Sequence, residues 1–133
     1  MPSRTGRCAC GSVTYTVRGP LRTVIACHCD SCRRQTGHHA AATAAPAEMI
    51  QIEGEEHLGE WRATGRAVRR FCRTCGSTLF WQAVGENMVS IMAGSLDLPT
   101  GLEISHHIFV AEKGDYYEIT DDLPAFPGES KPS

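Results

Sequence analysis

Ala67-Val68-Arg69-Arg70-Phe71-Cys72-Arg73-Thr74-Cys75-Gly76-Ser77-Thr78-Leu79-Phe80-Trp81-Gln82-Ala83 decides the fold. Two stretches of strand character, Ala67–Phe71 and Thr78–Ala83, flank a Cys-x-x-Cys-Gly turn, so the segment reads as a hairpin with two thiols at its tip. Two further clusters precede it: Cys8-Ala9-Cys10-Gly11 and Cys27-His28-Cys29-Asp30-Ser31-Cys32. Thiolates one and two residues apart can converge on a single metal ion, and scattered buried cysteines show no such spacing. Seven cysteines thus divide into two, three and two. That division predicts one closed four-thiolate zinc site and a second zinc site with three protein ligands.

Disulfides fit poorly. The count is odd, and Cys-x-Cys pairs bridge only with strain. Residues 1–7 hold no apolar stretch of signal-peptide type, and no run approaches the ~18 apolar residues of a membrane span. The expectation is a cytoplasmic protein whose reduced thiols bind metal.

Outward from the hairpin, strand signals continue. Val13, Tyr15 and Val17 alternate on one face before Gly19-Pro20. Val24–Cys27 reads as a short strand delivering the middle cluster. Met49–Ile52, Glu60–Arg62, Met88–Ala93, His107–Val110 and Tyr116–Ile119 follow, with turn-type residues between most of them. Helical turns are expected at Asp30–Gln35 and Pro46–Met49. No segment holds helical periodicity over three turns. Residues 1–126 therefore read as a single all-β, metal-stapled domain, and 127–133 as a flexible C-terminal tail.

Two pairings of the clusters compete. A zinc-ribbon arrangement joins Cys29 and Cys32 to Cys72 and Cys75. The other joins Cys8 and Cys10 to Cys72 and Cys75, leaving Cys27, Cys29 and Cys32 as a trio. Glycine follows both Cys10 and Cys75 and can adopt positive φ, turning backbone amides toward a thiolate; Arg33 follows Cys32. That favours the second pairing. A closed site of this kind adds roughly 10–16 kcal/mol of zinc affinity to folding, as in zinc-finger peptides. Three thiolates on zinc leave one tetrahedral position for water, a substrate thiol, or a fourth ligand from His28, His38 or His39. His28 lies between two ligands and would point away in an extended segment. His57, His106 and His107 read as surface or packed residues.

The net charge of −2 conceals a polarity: residues 1–84 hold eleven Arg against six acids, and residues 85–133 two Lys against nine. Arg33, Arg34, Arg69, Arg70 and Arg73 flank the cysteines, where guanidinium groups offset thiolate charge and can grip carboxylates. Nucleic-acid binding is not indicated, because the chain is acidic overall and interleaves few aromatics with its arginines.

Cys8-x-Cys10-Gly11, Cys27-His28-Cys29-x-x-Cys32-Arg33-Arg34-x-x-Gly37, Arg70-Phe71-Cys72-x-x-Cys75-Gly76 and His107-Ile108-Phe109-Val110 … Asp121-x-Leu123-Pro124 resemble the glutathione-dependent formaldehyde-activating enzyme (GFA) family. The resemblance runs from about residue 6 to residue 126. It implies an Mss4-like fold, a β-tent of folded sheets, with Cys8, Cys10, Cys72 and Cys75 on a structural zinc and Cys27, Cys29 and Cys32 on a catalytic one. It also implies carbon–sulfur lyase chemistry, joining glutathione and formaldehyde into S-hydroxymethylglutathione, with Arg33 and Arg34 as candidates for the glutathione carboxylates. The rival expectation is a non-catalytic zinc module for protein interaction, or a metal or redox sensor built on the same trio.

Overall fold

The computed structural model describes residues 3–62 and 65–129. It is mostly β, with sheets that do not close. The strands are β1 (Ser3–Arg7), β2 (Thr14–Arg18), β3 (Val24–Cys27), β4 (Ala40–Pro46), β5 (Ile50–Glu53), β6 (Leu58–Arg62), β7 (Ala67–Cys72), β8 (Thr78–Ala83), β9 (Met88–Met92) and β10 (Ile104–Ile108). Among the described residues there is one α-helix, α1 (Asp30–Thr36), and a short 3-10 turn at Ala47–Met49 lies where the second helical turn was expected. No helix among the described residues is long and apolar enough to cross a membrane.

Two compact units divide the span expected as one domain: Met1–Arg22 with Thr43–Gly101, and Thr23–Ala42 with Leu102–Ser133. In the larger unit, β1, β2 and β5 form an antiparallel sheet in that order. Tyr15 and Val17 of β2 are buried while Thr14 and Thr16 are half-buried, the period-two pattern of a strand with one face on a core. The strands β6, β7, β8 and β9 follow as an antiparallel meander that buries Leu79, Phe80 and Ile91. Tyr15 meets Phe80 edge-on, with ring centroids 5.3 Å apart, which joins the first sheet to the meander. The Tyr15 hydroxyl donates to Ser95 Oγ at 2.6 Å, and Ser95 donates onward to the Met92 carbonyl. Burial pushes that phenol up to about 12.

In the smaller unit β3 has two neighbours. It runs parallel to β10 (Val24 opposite Ile104, Cys27 opposite Ile108) and antiparallel to the start of β4 (Cys27 opposite Ala40). The C-terminal segment extends this pairing: Phe126 N–H donates to the His107 carbonyl, and the Phe109 and Ala111 amides donate to the Gly128 and Pro127 carbonyls. Pro127 and Gly128 of the expected tail are thus hydrogen-bonded, and residues 130–133 lie outside the described residues.

Three elements depart from the sequence expectation. β1 and β4 were not anticipated, and Tyr116–Ile119 is irregular. β1 (Ser-Arg-Thr-Gly-Arg) carries no alternating apolar face, and it is held by register with β2 and by Gly6, over which the Tyr15 ring closes. β4 is a run of alanines with mostly buried positions, a composition whose intrinsic preference is helical and whose extended form comes from tertiary packing. Tyr116 and Tyr117 direct their hydroxyls to imidazoles.

Gly54 offers a test of this packing. Its φ is 86°, and a Cβ there would collide with the Ser12 carbonyl oxygen. Gly54→Ala combines left-handed strain with overpacking, and is expected to lower the stability to urea unfolding by about 2 kcal/mol or more. An unchanged midpoint would show that the Ser12–Gly54 approach is looser than described.

Candidate metal centres

The tip of the β7–β8 hairpin and the turn after β1 each present two thiols. In the first turn the Gly11 amide donates to the Cys8 carbonyl and the Val13 amide to Cys8 Sγ at 3.3 Å. In the second the Gly76 amide donates to the Cys72 carbonyl and the Cys75 amide to Cys72 Sγ at 3.5 Å. Gly11 and Gly76 have φ of 83° and 82°, the left-handed conformation expected from glycine after Cys10 and Cys75. The two turns bring the sulfurs of Cys8, Cys10, Cys72 and Cys75 within 4.8 Å of one another.

Cys10 Sγ lies 3.7 Å from both Cys8 Sγ and Cys72 Sγ. A tetrahedral zinc site with Zn–S bonds of about 2.3 Å has sulfur–sulfur edges of about 3.8 Å. The donor set and its spacing therefore fit a four-coordinate zinc. The amides and hydroxyls around it favour thiolates. Hydrogen bonds from the Ser77 hydroxyl and the Ser77 and Cys10 amides hold the Cys75 thiol down at about 5, while burial pushes Cys72 up. An open cavity of about 480 Å³ borders Cys8, lined also by Arg7, Ser77, Ser95 and Asp97. Arg7 already donates to the Cys8 and Ala9 carbonyls there, and Cys8 belongs to the closed group, so the cavity meets no open ligand position.

The second group forms where β3 runs into α1. Cys27 ends the strand, Cys29 caps the helix, and Cys32 sits buried in its first turn. The Cys32 amide donates to Cys29 Sγ at 3.3 Å, as an N-cap acceptor requires. Gly37, at φ 84°, ends the helix, its amide bonding the Arg33 carbonyl. The three sulfurs lie within 4.8 Å of one another, and among the described residues no histidine nitrogen or carboxylate joins them. Thiol hydrogen bonds from Cys27 and Cys32, followed by backbone amides, draw Cys29 down to about 2, whereas Cys27 is driven upward by its hydrogen bonds with Cys29 and Cys32 and by burial.

The other anticipated residues are placed as follows. His28 is buried, with both ring nitrogens engaged: Nε2 with His107 Nδ1 at 2.9 Å, and Nδ1 with the Tyr117 hydroxyl at 2.7 Å. His38 Nδ1 pairs with the Tyr116 hydroxyl at 2.7 Å. His39 stacks between His28 and His38 and joins neither metal group. Arg33 and Arg34 both reach Asp30, at 2.6 and 3.1 Å, while the Asp30 amide donates to Glu112 Oε1. Arg70 pairs with Glu60, Arg73 donates to the Glu56 carbonyl, and Arg69 is buried in β7. The linkage of His107 to Asp121 Oδ2 at 2.8 Å was not foreseen, although both residues stand in the late motif. Their separation by fourteen positions carries no local spacing signal.

A family model described as glutathione-dependent formaldehyde-activating enzyme matches residues 3–112, a span that includes every cysteine. The chain belongs to this family. A GFA-family assignment accords with the order of clusters and with the open, mostly β fold. The chain is also similar to a Schizosaccharomyces pombe protein named an uncharacterized lyase, at 23% identity over 127 residues, covering 95% of this chain and 92% of that one. Among solved structures it is similar to a Rhodobacter sphaeroides protein crystallised as a structural-genomics target, with a TM-score of 0.57 and 28% identity over 70% of this chain and 87% of that chain.

Cys75→Ser tests the closed group. Three remaining thiols cannot complete the tetrahedron, and the hairpin loses its tie to the N-terminal turn. The thermal midpoint of the zinc-loaded protein, followed by circular dichroism, should fall by roughly 10 °C or more. A midpoint within a degree or two of the parent would contradict a folding role for this group.

Proposed function

We propose that the chain is a zinc-dependent carbon–sulfur lyase-type enzyme that handles a small thiol, with glutathione and formaldehyde combining to S-hydroxymethylglutathione. The observation that carries this reading is the trio of Cys27, Cys29 and Cys32, which offers three ligands where the other group offers four. Family membership and the lyase name of the fission-yeast relative support it. So do seven free thiols, which suit the reducing cytoplasm proposed as its location.

Cys27, Cys29 and Cys32 would hold zinc, and its Lewis acidity would favour the thiolate form of a substrate thiol. The protein's part is to place three sulfurs at the junction of a strand and a helix, with the Cys32 amide steadying the charge on Cys29. In the reaction one carbon–sulfur bond forms between the thiol sulfur and the carbonyl carbon, and the thiol proton ends on the former carbonyl oxygen. No redox partner is needed. Arg33 and Arg34 are the proposed grip on the glutathione carboxylates. Asp30 holds both guanidinium groups in place, and donors beyond those it occupies remain to take a bidentate carboxylate.

Calorimetric titration of the zinc-loaded protein with glutathione tests this reading. Cys29→Ser should stay folded, hold one zinc ion per chain in place of two, and weaken glutathione binding by at least about tenfold. Parent protein that ignores glutathione would instead favour a zinc module for protein interaction or sensing.

A further inference from the structure

His28 stands between two ligands of the trio and begins a chain of hydrogen bonds that the proposed reaction does not use. The Tyr117 hydroxyl meets His28 Nδ1 at 2.7 Å, His28 Nε2 meets His107 Nδ1 at 2.9 Å, and His107 Nε2 meets Asp121 Oδ2 at 2.8 Å. Both imidazoles are buried, His28 to 1% exposure and His107 to 5%, so an unmade bond in this chain is costly.

For rings that carry one proton each, the carboxylate at the end sets one consistent order. The Asp121 carboxylate only accepts, so His107 Nε2 carries the proton it receives. His107 Nδ1 is then an acceptor, which requires the proton of His28 on Nε2. His28 Nδ1 is left to accept from the Tyr117 hydroxyl. Every assignment follows from the carboxylate at the end. The Leu123 amide, donating to Asp121 Oδ1 at 3.1 Å, fixes that carboxylate in turn.

The same residues bind backbone. The His28 amide donates to the Ile108 carbonyl at 2.9 Å, and His107 exchanges main-chain bonds with Pro124 and Phe126. The Cys27-His28-Cys29 segment is therefore tied to β10 by main chain and side chain at once. Sulfurs on one metal tolerate little displacement, because their separations are set by the metal–ligand bond length.

We propose that Asp121 and His107 are positioning residues for the Cys27–Cys29–Cys32 metal centre, holding the His28 imidazole in one tautomer and thereby fixing the main chain between two of the three ligands. This rests on the reading of the trio as a metal site. Without Asp121, His107 can present either a proton or a lone pair to His28, and two arrangements compete where one existed. Outer hydrogen-bond partners of metal ligands commonly act with this leverage.

Two NMR measurements on the full chain test the inference. Metal-free protein is titrated with cadmium, a soft probe for which four-thiolate and three-thiolate sites give separate cadmium resonances, and long-range proton–nitrogen correlation reads the imidazole tautomers. The parent is expected to carry protons on Nε2 of both His28 and His107. Asp121→Ala removes a side chain that is 42% exposed, and is expected to mix the tautomers and weaken cadmium at the trio about tenfold while the four-cysteine site is unaffected. Asp121→Asn, which keeps an acceptor oxygen, should restore most of that affinity. Tyr117→Phe should leave both tautomers as in the parent, since the order is set from the Asp121 end. A parent His28 with its proton on Nδ1, an unchanged trio in Asp121→Ala, or equal weakening at both sites would each overturn the proposal. Absence of any trio resonance in the parent would remove the metal reading as well, which distinguishes the two failures.

Discussion

Crowded thiolates are the constraint on which the rest depends. Four sulfurs within 4.8 Å of one another cannot all carry charge unless a cation lies among them, and four thiols so close are poor partners for each other. The polypeptide accepts this arrangement because two glycine-terminated turns, sixty-two residues apart at Cys10 and Cys72, aim amides at the sulfurs. A metal held by these four sulfurs would tie the turn after β1 to the β7–β8 hairpin. The Tyr15–Phe80 contact joins the same regions of the larger unit through apolar packing. Metal ligation there would reinforce core burial, which suits a chain of 133 residues with a modest interior.

The smaller unit gathers three sulfurs where the larger gathers four. Its three sulfurs sit at a strand end, a helix cap and a first helical turn, positions fixed by secondary structure. A site on such elements is more exactly held than one on a mobile loop. The neighbouring imidazoles, which composition would suggest as further ligands, are engaged elsewhere: His28 by His107 and Tyr117, and His38 by Tyr116. Three ligands leave chemistry open at a metal, and four close it. That contrast within one short chain underlies the proposed thiol reaction.

Much of this was legible in the residues because it is local. The glycine after Cys10 and Cys75 announced the two left-handed turns, and the helical turn expected at Asp30–Gln35 is α1. The alternation of Val13, Tyr15 and Val17 gave β2 its buried face. What escaped was set by tertiary context. β4 is alanine-rich, and nothing in its composition distinguishes an extended run from a helix. β1 has a polar sequence and owes its conformation to its neighbour. The pairing of His107 with Asp121 depends on a chain reversal between them. The arginines beside Cys32 were expected to offset thiolate charge and grip carboxylates, and the fold directs both to the neighbouring Asp30.

Zinc-edge X-ray absorption of protein loaded with zinc, with and without glutathione, measures the central contrast directly. The account predicts a mean sulfur coordination below four per zinc in the free protein, rising toward four when glutathione is added. A free protein with four sulfurs on every zinc, or a histidine nitrogen that persists in the presence of glutathione, would contradict it.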